Sequence, residues 1–218
     1  MAGREHFEAD LSMVKKDIID LAQTAEDALG KAVDALFNQD VMLAEKVIKQ
    51  DREIDRRENE INEQTIVMMA KQQPVATDLR RLIISLKITT DVERMADHAR
   101  NIAESALRLG EEHHLAIPQK VKEMRNMVMD MNHTAIQAFQ YEDITIAGKL
   151  SAMDDAVDDL YESMIQNLLS ETAANPEKIQ YIMQMAFSAR YMERFADHIT
   201  NICESIIYLV KGESHKLN

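Results

Sequence analysis

Four segments of the chain share one spacing: an acidic residue, three others, then aspartate. They are Asp51 with Asp55, Glu93 with Asp97, Asp154 with Asp158, and Glu193 with Asp197. On a helix, positions i and i+4 stand one turn apart on the same face. Two carboxylates placed there repel by roughly 0.2–0.5 kcal/mol. A hard cation with oxygen ligands reverses that sign. A single such pair in so acidic a chain reads as a solvated face. The register of the four pairs argues for more.

That register comes from the prolines. Residue 53 is the midpoint of the first pair and residue 95 that of the second, and Pro74 lies halfway between them. In the second half the midpoints are 156 and 195, and halfway between them stands Asn175-Pro176. Residues equidistant from the turn of an antiparallel hairpin lie level. The pairs are therefore predicted to face each other as two clusters of four carboxylates. Asn101 and Asn201 stand four residues beyond Asp97 and Asp197, and each extends its ladder with a further candidate oxygen ligand.

The elements that must position these groups are helices. The chain of 218 residues holds only 5 Gly and 3 Pro, several-fold fewer than the roughly 7% and 5% of an average domain. Strands need frequent turn residues, so an all-β fold is excluded. Apolar spacing and breaks predict six helices, at 6–38, 40–72, 77–109, 118–141, 143–171 and 176–211. Val47, Ile54, Ile61 and Met68 recur every seven residues, as do Leu79 and Leu86. Ile84, Ile88, Met95 and Ile102 form a stripe opposite Glu93 and Asp97 on the helical wheel. The third helix is thus expected to be central, with its acidic pair in a groove against the second. Gly110 reads as a helix C-terminal glycine, while Gly30 and Gly148 weaken the helices that contain them.

The chain repeats itself. Residues 93–105, ERMADHARNIAES, and 193–205, ERFADHITNICES, agree at 9 of 13 positions, where chance gives about one. Asp40, Ala44, Lys46, Asp51 and Asp55 match Asp143, Ala147, Lys149, Asp154 and Asp158 at an offset of 103. The fold class is therefore all-α: two tandem, pseudo-symmetric three-helix bundles with long antiparallel helices, over 1–112 and 113–218, the boundary falling within 110–117.

A net charge of −13 makes nucleic acid a poor partner, because phosphate backbones demand clustered Lys and Arg. One cysteine, Cys203, allows no intrachain disulfide, which fits a reducing compartment. The amino terminus has no apolar run of a signal peptide, and no segment approaches the roughly 20 apolar residues of a membrane span. A soluble, cytoplasmic protein is expected. Arg94 and Arg194 read as salt-bridging or partner-facing charges. His98 and His198 read as surface or supporting groups before they read as ligands, and Glu104 and Glu204 as flanking charges. The 15 methionines read mainly as core filler.

A helical carboxylate-site metalloprotein with a catalytic or storage role is the rival reading. Ferritin-like sites use Glu-x-x-His on two helices, but here Ala96 and Ala196 hold the histidine positions. No phosphate-cradling glycine loop and no nucleophile paired with a base is present, so no enzyme is expected.

The two ERxADH…NI.ES segments, together with QQPVATDLR at 72–80, closely resemble the signature of the PhoU family of phosphate-transport regulators. The resemblance covers essentially the whole chain. It implies metal ions (iron, zinc, manganese or magnesium) at Asp51, Asp55, Glu93, Asp97 and Asn101, and at Asp154, Asp158, Glu193, Asp197 and Asn201. It implies negative regulation of phosphate uptake and of the phosphate-starvation response. It also implies contacts with the ATPase subunit of the phosphate ABC transporter and with the sensor histidine kinase, and a homodimer. The sequence departs from the family in having Ala96 and Ala196 where Gly is common. AANPEKIQ near 173–180 has no likeness to QPVATDLR, so a contact made by that segment would belong to the first copy alone.

Overall fold

The computed structural model describes residues 2–110 and 116–213. The expected boundary between the halves, at 112/113, lies at residues outside the described ones. Among the described residues are seven α-helices: α1 (Ala2–Asn38), α2 (Val41–Gln72), α3 (Ala76–Leu109), α4 (Gln119–Tyr141), α5 (Ile144–Ala147), α6 (Leu150–Ala174) and α7 (Ile179–Lys211), with one 3-10 turn at Pro176–Lys178 leading into α7. No strand occurs among the described residues. Helices α1–α3 pack together as one bundle, and α4, α6 and α7 as a second.

The repeated aspartates have a structural cause. Asp40 caps α2 by accepting from the Leu43 N–H at 2.8 Å, and Asp143 caps α5 by accepting from the Thr145 N–H at 2.7 Å. Each satisfies an N–H that a helix start leaves without a partner. The residue before each cap, Gln39 or Glu142, turns the chain with a positive φ. Gly110 ends α3 at φ +73°, and its N–H bonds back to the Ala106 carbonyl.

Two expectations change. The helix predicted over 143–171 is broken at Gly148-Lys149 into α5 and α6. There the Lys149 N–H bonds the Ile146 carbonyl three residues back, so the turn tightens and the helix restarts at Leu150. Glycine at 148 lowers the cost of that interruption. Val47, Ile54, Ile61 and Met68 are buried as their spacing predicts, but Leu79 is exposed and Leu86 only half-buried. The expected stripe of Ile84, Ile88, Met95 and Ile102 is buried in full, and Leu82, Val92 and Ala99 join it as the core face of α3.

The most extensive helix pairing in the molecule is α3 against α7, across the two bundles. Asp91 meets His198, and His98 meets Tyr191, so the helices run antiparallel. An offset of 100 residues exchanges those two contacts, and the His98 and His198 rings stack at 5.5 Å between them. The repeats are thus related by a pseudo-two-fold through this seam. Each acidic pair of α3 or α7 lies to one side of it, turned toward α2 or α6.

Candidate metal centre

Each groove has depth. Asp51 of α2 is buried at 5% exposure and Asp154 of α6 at 2%. Asp55 is half-buried and Asp158 exposed at the mouth. Facing them, Glu93 and Asp97 of α3 are half-buried, while on α7 Glu193 is buried and Asp197 half-buried.

The carboxylates of each groove act on one another across the two helices. Burial pushes Glu93 up to about 7, and Asp97 and Asp55 add to the rise against the opposing charge of Arg94. Asp51 is raised by burial and then by Asp55 and Asp97, with Arg100 opposing. In the second groove, burial raises Asp158, Glu193 and Asp197. Asp158 also feels Asp154 and Asp197, Glu193 feels Asp158, and Asp197 feels Asp154. Like charges gathered in a partly dry groove favour the proton-bound form, whereas a bound cation would relieve the same repulsion by favouring the ionised carboxylates.

Arg94 and Arg194 brace the outer edges. Arg94 lies 3.5 Å from both Glu93 and Asp97, and Arg194 lies 3.4 Å from Asp197. A further arginine, which spacing did not single out, fills the first groove. Arg100 Nη1 donates to Asp51 Oδ2 at 2.7 Å and stands 3.0 Å from Asp97 Oδ1, bridging α2 and α3. The counterpart of Arg100 in the second repeat is Thr200. One signal in the sequence pointed there: of the four differences between the 13-residue motifs, only Arg100/Thr200 changes charge.

The histidines belong to the seam. His198 Nδ1 lies 3.0 Å from Asp91 Oδ1, and the Asn201 amide donates to the same oxygen at 3.4 Å. His98 stacks near Tyr191, and burial together with His198 pushes its pKa down to about 4. Asn101 is half-buried on α3. Cys203 is fully buried, and its thiol is pushed up to about 12 by that burial, so it offers no thiolate near neutral pH.

The groups fit a hard or borderline cation by chemistry, since every carboxylate donor is oxygen. Two buried carboxylate oxygens of the grooves, Asp51 Oδ1 and Glu193 Oε2, have no hydrogen-bond partner. Among the described residues no three His, Cys, Asp or Glu side chains already converge as an ion's ligands do. Rotation of the carboxylates about their helices would have to close each set.

The PhoU domain model matches the chain twice, over residues 18–106 and 121–206, one match on each bundle. This chain belongs to the PhoU family. The phosphate-specific transport system accessory protein PhoU homolog of Clostridium acetobutylicum is 36% identical over 216 residues, covering 99% of both chains. The PhoU homolog of Aquifex aeolicus is 39% identical over 204 residues, 94% of this chain and 92% of that one. The crystal structure of PhoU from Pseudomonas aeruginosa superposes with a TM-score of 0.90 at 31% identity, covering 95% of this chain and 100% of that one. The matched spans contain all eight groove carboxylates, so both PhoU domains carry the acidic pairs. No described helix is long and apolar enough to cross a membrane.

Proposed function

We propose that this protein is a cytoplasmic negative regulator of phosphate uptake and of the phosphate-starvation response, acting as a metal-binding adaptor. The observation that carries the reading is the full-length, twofold PhoU match to accessory proteins of phosphate-specific transport systems. Its partners are the ATPase subunit of the phosphate ABC transporter and the sensor histidine kinase, and the chain works as a homodimer. It performs no catalytic step.

The geometry supplies what an adaptor needs. The long helices form a rigid frame, and the outer sides of α3 and α7 expose Ile83, Met183, Phe187 and Tyr208 as apolar contact area. Regulation follows if this surface binds one state of a partner better than the other. Asp51, Asp55, Glu93 and Asp97, and Asp154, Asp158, Glu193 and Asp197, would hold magnesium, manganese, iron or zinc, with Asn101 and Asn201 as additional oxygens. The ion would supply positive charge that cancels carboxylate repulsion and ties neighbouring helices together. Deleting the gene tests the regulatory reading: phosphate-scavenging genes should be on even in high phosphate. Normal repression in the deletion strain would refute it.

A further inference from the structure

The two grooves differ in what stands between their helices. In the first, one guanidinium touches a carboxylate from each side, Asp51 of α2 and Asp97 of α3. That is where a cation bridging the helices would sit. Each groove has a second arginine against its carboxylates besides Arg94 or Arg194, but in a different place. In the second repeat it is Arg190, whose match in the first is Thr90. Arg190 donates to Glu193 on its own helix at 2.6 Å, and its guanidinium lies over the Tyr161 ring at 5.8 Å. It is therefore held at the flank of the groove.

At the position from which Arg100 reaches across, the second repeat has Thr200, buried at 3% exposure with a hydroxyl that has no partner. Glu193, at 9% exposure, keeps a buried carboxylate oxygen without a hydrogen-bond donor. The strongest charge neighbours of Asp158 are all carboxylates: Asp154, Asp197, Asp155 and Glu162. Arg190 and Arg194 offset part of this charge from α7 itself, with Arg194 3.4 Å from Asp197 and 4.0 Å from Glu193 Oε2, but neither is bonded to both helices as Arg100 is. A desolvated carboxylate oxygen without a donor is costly until a cation arrives.

We propose that the grooves are inequivalent: the second takes a hard divalent cation between α6 and α7, while Arg100 occupies the corresponding place in the first as a built-in cation. The inference rests on the reading of the second groove as a metal centre, and it narrows the proposed metal binding of the first groove to states in which Arg100 is displaced. It makes the first bundle independent of metal and the second responsive to it. A metal able to enter the first groove must displace a guanidinium bonded on two sides, and its affinity there falls accordingly.

Equilibrium dialysis of the chelator-stripped full chain against Mn2+ tests this. Asp158→Asn should weaken binding at least tenfold, and Asp55→Asn should leave it within twofold. Both sites are at least partly open to solvent, so either variant should fold. Arg100→Thr should roughly double the metal bound at a concentration that saturates the parent. Thr200→Arg should remove most of it. Equal losses from Asp55→Asn and Asp158→Asn would overturn the inequivalence but leave the metal reading standing. Absence of binding in the parent and every variant would overturn both.

Discussion

Glu93 shows what an acidic groove does to its members. An ordinary glutamate releases its proton near 4.5, whereas burial and neighbouring carboxylates raise Glu93 to about 7. The folded state therefore holds this proton more tightly than the unfolded chain. Its stabilising effect is complete below about pH 4.5 and is lost as pH rises through about 7. Without metal, Glu93→Gln should raise stability at pH 8 by about 1–2 kcal/mol, after allowing for partial exposure, and change it little at pH 4.5. Melting curves in chelator at the two pH values check this. His98 has the opposite sign. Its pKa is lowered to about 4, so stability falls as pH drops from about 6.5 toward 4. His98→Asn should flatten that acid limb. Arg100→Met strands the buried Asp51 carboxylate and should cost roughly 1–3 kcal/mol, less than for a fully buried pair because Arg100 is partly exposed. Thermal unfolding with and without Mn2+ reads that loss and its recovery on metal binding. The carboxylate pairs were legible because i,i+4 spacing and the position of a turn are both written in the sequence. The reach of Arg100 was not, since a long flexible side chain can point along its own helix or across to the next.

The elements were legible to the extent that their signals are local. Asp40 and Asp143 repeat because each caps a helix, and Asp40→Ala or Asp143→Ala should lower stability by about 1 kcal/mol in thermal or urea unfolding. Pro74 and Pro176 mark the two interhelical turns, while Gly110 closes α3 with the positive φ that suits glycine. The break between α5 and α6 was missed: Gly148 signalled a weak point, but apolar periodicity on either side favoured one continuous helix. Leu79 misled for a related reason. A seven-residue repeat identifies a face, and on α3 that face looks partly into the acidic groove and partly to solvent. The α3–α7 pairing lay beyond reach altogether, because an apolar stripe says that a face is covered without saying by which helix. The His98–His198 stack and the Asp91–His198 contact follow from that pairing and were invisible with it.

At the scale of the molecule, the α3–α7 seam joins two repeats that the duplication alone would make separable. Because this is the most extensive helix contact, the two bundles should unfold together. Calorimetry of the full chain should show one cooperative transition, and Ile102→Ala, at a fully buried position of α3, should shift all of it downward by about 2–5 kcal/mol. Two resolved transitions would show that the seam does not couple the halves. A joined frame suits the proposed adaptor, since a metal in one groove and a partner on the outer face would then act on one body. The central claim is that this PhoU protein links phosphate transport to phosphate sensing through physical contact. The direct measurement is affinity capture of the tagged full chain from membranes of cells grown in high phosphate. It should bring down both the transporter's ATPase subunit and the sensor histidine kinase; recovery of neither would contradict the account.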